Sequence, residues 1–529
     1  MLKNRHSPAG AQLRQPIRRW VLGLVIGLLI IGIGAFVILK HAEPILRARV
    51  IETLSARFKG PVELKEFHVS LSHGVQVQGG GLKIYGEQDP NIHKPGIQPL
   101  IEIANFTFQT RILELMRSPM RIESINLKGL LLNLPPKEQR QAGPGAMLRK
   151  AKAKIEVHHF ACEEATLIIN TSRIDKLPLE FDITNLKMTS DRPGQPLHFE
   201  AKLTNPKPVG HIATHGLFGP WQPDSPRDTA ISGEYSFTNA DLSTIKGIGG
   251  MLSSNGMYKG TLDRIVVDGK TSTPDFRVET SGRPVPLDTT FHAIVDGTTG
   301  DTSLQPVQAK LLNSIISARG SVMKVKEAQG HHIRLDVAIE KARIEDLLAL
   351  GVKTDPPIMT GAVRLNTKLD LPPGESDVPM RLRLAGAFAV SGAHFTNPKV
   401  QAKVDNLSMR SQGKPKLAKD NIPDNVPSDM SGKFRLRKGV LSFSQLYFQA
   451  PGTLVSLKGD YSLDGNRFDF RGKARLKAKL SHLVTGWKSL LLKPVDPFFH
   501  KHGAGTEIGV KITGTKSAPH FGLNLGGDK

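Results

Sequence analysis

The chain has 529 residues, with 71 Lys or Arg against 48 Asp or Glu and a formal net charge of +23. Its single cysteine, Cys162, excludes an internal disulfide and with it a small disulfide-stapled module. Aromatic residues make up 6%, so any core or binding surface is built mainly from Leu, Ile, Val and Ala.

Residues 1–20 form a basic tail containing Lys3, Arg5, Arg14, Arg18 and Arg19, and the first acidic residue is Glu43. Residues 21–39 carry no charged and no polar side chain. As a helix this run is roughly 28 Å long, close to the hydrocarbon thickness of a bilayer. Trp20 stands where an interfacial aromatic anchor belongs, and the positive-inside rule keeps the tail in the cytoplasm and exports the rest. A cleaved signal peptide is the competing reading. Its apolar region is usually about 7–15 residues with a small-x-small site after it, whereas Gly32-Ile33-Gly34 lies inside this run. The expectation is one uncleaved transmembrane helix. Export disfavours nucleic acid as a partner, and the basic body suits anionic lipid headgroups or acidic glycolipids.

Residues 44–59 read as an amphipathic juxtamembrane helix. Pro44 takes its first position, Leu46, Val50, Leu54 and Phe58 recur every four residues, and Gly60 ends it. From Pro61 the apolar period falls from four to two. Val62 and Leu64, Val75 and Val77, Leu82 and Ile84, Ile101 and Ile103, and Phe106 and Phe108 each skip one residue. The alternation returns at Ile333 to Ile339, Leu382 and Leu384, Phe468 and Phe470, and Ile508 to Ile512. Short alternating runs bounded by Gly, Pro, Asn or Asp are the strand signature. Asp268-Gly269, Asp296-Gly297 and Asp464-Gly465 suit type I′ hairpins, and the body is expected to be a long antiparallel meander.

Helices are expected at Ile344 to Leu350, from Ser481 (Leu483, Trp487, Leu490, Leu491), and, weakened by glycine, at Asp241 to Leu252. Loops are expected at Leu134 to Gly145, Gly219 to Asp228, Leu371 to Pro379 and Gln412 to Asp429. The spacing G-x-x-S-x-P-x-F occurs twice, at Gly269 to Phe276 and Gly514 to Phe521, and reads as a hairpin turn in both places. The resulting division is a β body over 61–480 and a closing helix and strands over 481–529.

An alternating sheet has one apolar face that must be covered. The solutions are packed sandwiches, closed barrels, or an open trough filled by something apolar such as acyl chains. No catalytic constellation stands out: there is no G-x-S-x-G elbow, Walker loop, H-E-x-x-H or paired cysteine. The run from His158 to Glu164 offers metal-ligand residue types, but strand geometry points His158 and His159 to opposite faces. The pair His500 and His502 is read likewise. No catalytic residue, metal site or cofactor is expected.

The chain resembles the AsmA-like family of Gram-negative envelope proteins. The resemblance is carried by the anchor, by Pro44 to Val50 through Phe58 to Val62, and by Phe67 to Ser70. It also rests on Gly260-Thr-Leu-Asp-Arg-Ile-Val-Val-Asp-Gly-Lys-Thr-Ser-Thr-Pro-Asp-Phe276, on Val295 to Thr302 and on Gly509 to Pro519. It implies an inner-membrane helix, a periplasmic curled β-groove, and phospholipid transfer towards the outer membrane, with envelope lipids and an outer-membrane or periplasmic protein as partners. A body of roughly 30 strands at about 4.8 Å each would reach on the order of 140 Å, which falls short of a full periplasm. The expected groove-lining residues are Val75, Val77, Leu82, Ile84, Phe106, Phe108, Val455, Leu457, Phe468 and Phe470, with Leu46, Val50, Leu54 and Phe58 at the membrane-proximal mouth. The alternative function is a periplasmic scaffold that binds polypeptide during outer-membrane protein assembly.

Overall fold

The structure is a computed structural model that describes residues 43–56, 58, 60–71, 74–86, 98–111, 114, 120–134, 155–170, 178–192, 195–220, 222, 225–279, 282–325, 328, 330–414, 425–463, 467–479, 505–515 and 518–523. The anchor at 21–39, the segment from Ser481, the pair His500 and His502 and the dipeptide Asp464-Gly465 lie outside them. Among the described residues no helix is long and apolar enough to cross a membrane.

The period of two is realised as strand almost throughout, and the protein is mainly β with a few short helices. The chain divides into two compact units, residues 1–203 and 204–529. The first begins with a helix, α1 (43–56), followed by β1 (Val62–Glu63), β2 (Glu66–Ser70), β3 (Val75–Ile84), β4 (Ile101–Thr110), β5 (Met120–Leu134), β6 (Ile155–Ile169) and β7 (Leu179–Thr189). β8 (Leu197–Pro206) carries the boundary.

Within this unit β1 and β2 both pair with β3, and β3, β4 and β5 follow in order. The expected meander is then interrupted. β5 and β6 run parallel over twelve paired positions, from Met120 beside Ile155 to Leu134 beside Ile169, before β7 restores the antiparallel sense. A parallel neighbour needs a long connection, and residues 135–154 supply the length that alternation alone does not reveal.

The second unit contains β9 (Val209–Phe218), β10 (Ala230–Asp241), β11 (Ile248–Gly249), β12 (Met251–Thr261), β13 (Arg264–Val278), β14 (Val285–Val295), β15 (Thr302–Leu311), β16 (Ser314–Lys324) and β17 (His331–Arg343). It continues with α2 (Ile344–Gly351), β18 (Met359–Leu371), α3 (Val378–Arg381), β19 (Arg383–Phe395) and α4 (Pro398–Ser411). β20 (Ser428–Arg437), β21 (Val440–Ala450), β22 (Thr453–Ser462), β23 (Arg467–Leu476), β24 (Thr506–Thr515) and β25 (Pro519–Leu523) complete it. Each strand from β12 to β25 pairs antiparallel with the next, giving one open, curled sheet in which β24 and β25 simply extend the body.

Three local expectations are corrected. Asp268-Gly269 and Pro274 lie inside the uninterrupted β13, with a bulge between Thr273 and Phe276, so the first copy of the repeated spacing is not a hairpin. Only the second copy turns, between β24 and β25. Asp296-Gly297 opens a longer turn in which the Asp296 carboxylate accepts from the N–H groups of Thr298 and Thr299. Asp241 to Leu252 forms a 3₁₀ turn at Leu242–Thr244 and then strand, as its glycines favour.

α2 ends at Gly351 as its pattern predicts. α4, a helix not among those expected, ends at Ser411 immediately before the loop expected from Gln412. Asn397 caps it, accepting from the N–H of Lys399 at 2.9 Å, and Pro398 occupies its first turn. Its inward residues include Gln401, Asp405, Ser408 and Ser411, so it lacks the apolar stripe that marks a helix in sequence.

Candidate functional site

In an antiparallel sheet, directly paired residues share a face, so the register settles which side of the second unit is apolar. Starting at Tyr235 on β10, the pairing runs through Gly256, Gly269, Phe291, Val307, Ala318, Val337 and Thr367. It continues through Gly386, Phe434, Phe443, Gly459, Phe470 and Ile512 to Phe521 on β25. No charged residue interrupts this row. A second row parallel to it passes Leu335, Leu369, Leu384, Leu436, Leu441, Tyr461 and Phe468. A third passes Ile339, Leu365, Phe388, Gly432, Leu446, Leu457 and Gly472.

The opposite face is polar. Its corresponding row contains Arg319, Asp336, Lys368, Ala385, Arg435, Ser442, Asp460 and Asp469. Arg319 and Asp336 meet at 3.9 Å, and Arg475 and Lys473 both reach Glu507.

Strand direction gives the sheet two different rims. The rim where β10, β17 and β19 end carries the 3₁₀ turn, α2 and α4; the other carries short turns and α3. α2 and α4 cover only the strand ends next to them. Leu347 and Leu350 of α2 pack with Val285, Leu311 and Ala349, and Val404 of α4 packs with Val426 and Ala450. Val285, Leu311, Ala349, Val404, Val426 and Ala450 at this rim are buried, whereas Phe291, Val337, Phe434, Phe443 and Phe470 in mid-face are only half-buried. Among the described residues, an apolar face has therefore been made that the helices leave largely uncovered.

Buried carboxylates fix the two rim helices. Asp346 on α2 accepts from the hydroxyl of Ser314 at 2.7 Å and from the N–H of Asn313 at 3.1 Å. Asp405 on α4 accepts from the N–H groups of Asn425 and Val426.

The face is not uniform along its length. Near β9–β14 it carries hydroxyls that satisfy one another: Thr214 with Tyr258 at 2.7 Å, and Tyr235 with Ser254 at 3.0 Å. Burial pushes the Tyr258 phenol up from its ordinary value, against the opposing effect of its bond with Thr214. Near β19–β23 it becomes phenyl and glycine. The ring of Phe388 lies 6.3 Å from both Phe434 and Phe443; Phe443 is 5.9 Å from Phe470, and Phe470 is 6.4 Å from Phe468. Phe443 and Phe470 meet across Gly459, where no Cβ stands between them.

Of the residues expected to line a groove, Val455, Leu457, Phe468 and Phe470 lie on this uncovered face. In the first unit Leu82, Ile84 and Phe106 are instead buried in a core with Leu64 and Phe67, and Val77 and Phe108 pack against it. Val75 is half-buried beside Thr110. That core is roofed by α1 through Ile51, Leu54 and Phe58, while Leu46 and Val50 are exposed. Among the described residues no group of His, Cys, Asp and Glu is placed to hold a metal. His158 is half-buried with Nδ1 3.4 Å from the Ser190 carbonyl, and its neighbour His159 is exposed.

The Phe cluster has a sequence signal that period counting passes over. Gly386-Ala-Phe388, Gly432-Lys-Phe434 and Phe470-Arg-Gly472 each put a glycine and a phenylalanine on one face of one strand. Comparison of the chain with family models, with curated proteins and with solved structures returns no match.

Proposed function

We propose that the protein is a membrane-anchored lipid-binding protein of the AsmA-like kind that takes part in phospholipid transfer across the envelope. One observation supports this most strongly: the continuous apolar face of the second unit is half-buried in mid-strand, and among the described residues helices cover it only along one rim. Acyl chains would cover it while headgroups remain at the wet rims. The basic balance of the chain suits anionic headgroups, and the apolar residues 21–39 would hold the protein in the inner membrane with its bulk in the periplasm. Movement along the face would be passive or driven by a partner, because nothing in the chain reads as a nucleotide site.

The test is photo-crosslinking in cells with benzoylphenylalanine placed at Phe443 or Val337, and at Lys368 or Arg435 as controls on the polar face. Phospholipid adducts at the first pair and none at the second are the expected outcome. Polypeptide adducts at Phe443 and Val337 would move the protein to the scaffold reading. Equal labelling of both faces would remove any lipid path.

A further inference from the structure

We infer that the first two turns of α1 form a docking face for the lipid bilayer, seating the first unit directly on the membrane surface. The inference rests on residues 21–39 being a membrane anchor.

The sequence shows a stripe recurring every four residues, but a step of four advances about 40° beyond a full helical turn. Leu46, Val50, Leu54 and Phe58 therefore drift by about 120° round the helix, so the two ends of the stripe face different ways. The structure divides them accordingly. Leu54 and Phe58, joined by Ile51, pack on the core of Leu64, Phe67, Leu82, Ile84 and Phe106. Leu46 and Val50 point away, as does Ile45, with exposures of 44%, 36% and 71%.

At about 100° per residue, Ile45, Leu46 and Val50 fall within one arc that also contains Arg49 and Thr53. That arc is centred about 140° from the one that grips the core. The helix is thus clamped by one side and presents three large apolar side chains on the other, all in its first two turns.

Two further observations place this arc toward a bilayer. The Nδ1 atom of His68 lies 3.0 Å from the carboxylate of Glu43, and the guanidinium of Arg47 donates to the Leu64 carbonyl. These contacts hold the start of α1 beside the end of β2, just before the exposed Leu71. The apolar run ends at Leu39, four residues before Glu43, so an anchored chain delivers this end of the unit to the interface. Four residues span at most about 14 Å, less than half a bilayer's full thickness with headgroups. Ile45, Leu46, Val50 and Leu71 then have an apolar partner within reach, and Arg49, although paired with Glu52, stands at headgroup level beside them.

The experiment uses the full chain carrying Cys162→Ser and one new cysteine at a time, spin-labelled and reconstituted into phosphatidylethanolamine–phosphatidylglycerol vesicles. Collision accessibility to oxygen and to a water-soluble nickel chelate is read at positions 45, 46 and 50. Controls are position 25 in the apolar run and positions 48 and 52 on the remaining side of α1. The expected result is oxygen-favoured accessibility at 45, 46 and 50, intermediate between 25 and the water-exposed 48 and 52. If 25 reports hydrocarbon while 45, 46 and 50 report water, the docking face is overturned and the anchor stands. If 25 also reports water, the anchor reading and the docking face fail together.

Discussion

The ammonium of Lys246 lies 2.5 Å from the carboxylate of Asp377, although the two residues are 131 apart and stand on opposite rims of the second unit's sheet. Lys246 follows the end of β10, and Asp377 lies between β18 and β19. Twist accounts for the meeting. At roughly 20–25° per strand, the seven steps from β10 to β18 accumulate about 160°, which turns the strand direction nearly end for end. The hydrogen bond with Lys246, then its charge, holds Asp377 below the usual carboxylate range, and the same partner raises Lys246. The contact is thus favoured at neutral pH. It weakens as pH falls through Asp377's depressed value, below about 4, and as pH rises past the ordinary lysine range near 10.4. Both groups are exposed, so its loss should loosen the curl locally without unfolding the sheet. Pulsed electron resonance between labels at Ser243 and Glu375 should give one short distance at pH 7 and a broadened one for Lys246→Glu.

In the first unit Phe106 lies across Gly79. A Cβ at residue 79 would stand 2.3 Å from Phe106 Cζ and 2.7 Å from the Glu66 carbonyl oxygen. Gly79→Ala should therefore cost about 1–3 kcal/mol by overpacking a core that also holds α1. Thermal unfolding of the variant, together with Gly79→Ala/Phe106→Leu, checks this; the second change should recover part of the loss.

Asp346 joins α2 to the β15–β16 turn. Asp346→Ala leaves the Ser314 hydroxyl and the Asn313 N–H without their acceptor, at about 1–3 kcal/mol for each group. Because Ser314 also accepts from the N–H of Arg343, the loss should reach the start of α2. Hydrogen exchange should rise in residues 344–351 and in the β15–β16 turn, and remain unchanged in β22–β24.

Much of this was legible in the sequence, for reasons that can be named. Val455, Leu457, Phe468 and Phe470 were readable as one face because a period of two has only one physical meaning in a strand. Leu82, Ile84 and Phe106 carry the same period, yet sit under α1. Alternation reports an apolar face and says nothing of what lies over it. α4 escaped notice because its buried side mixes Gln401, Asp405 and Ser408 with Val404 and Met409, although Asn397-Pro398 announced its start. The parallel pairing of β5 with β6 has no local signature at all, since each strand's own pattern is indifferent to the direction of its neighbour.

A charge placed on the uncovered face should separate lipid retention from folding. Val337→Asp puts a carboxylate in mid-row at a half-buried position, where the sheet pairing is untouched. Loss of about 1.5 kcal/mol of apolar contact corresponds to roughly tenfold weaker lipid retention. Lys368→Asp on the polar face should retain lipid like the parent. Quantified phospholipid in the purified proteins, with melting curves alongside, checks both.

Cys162 lies in the first unit's apolar row between Leu127 and Leu186, 1% exposed. Burial, and secondarily the charge of Glu163, pushes its thiol up, which disfavours the reactive thiolate. An alkylating reagent should leave it unmodified in the native protein at pH 8 and label it fully in denaturant. Mass spectrometry of the intact chain reads both states.

The unbroken rows of the second unit also bear on stoichiometry. A pocket has a fixed occupancy, but a surface whose lining repeats from one strand to the next has a capacity proportional to its length, about 4.8 Å for every strand. Removing one complete hairpin, such as β21 with β22, would delete two such increments, about 9.6 Å, and keep the polarity of its neighbours. Occupants on such a surface would queue in single file, so that loading at one end and release at the other become coupled through displacement by the molecules between them.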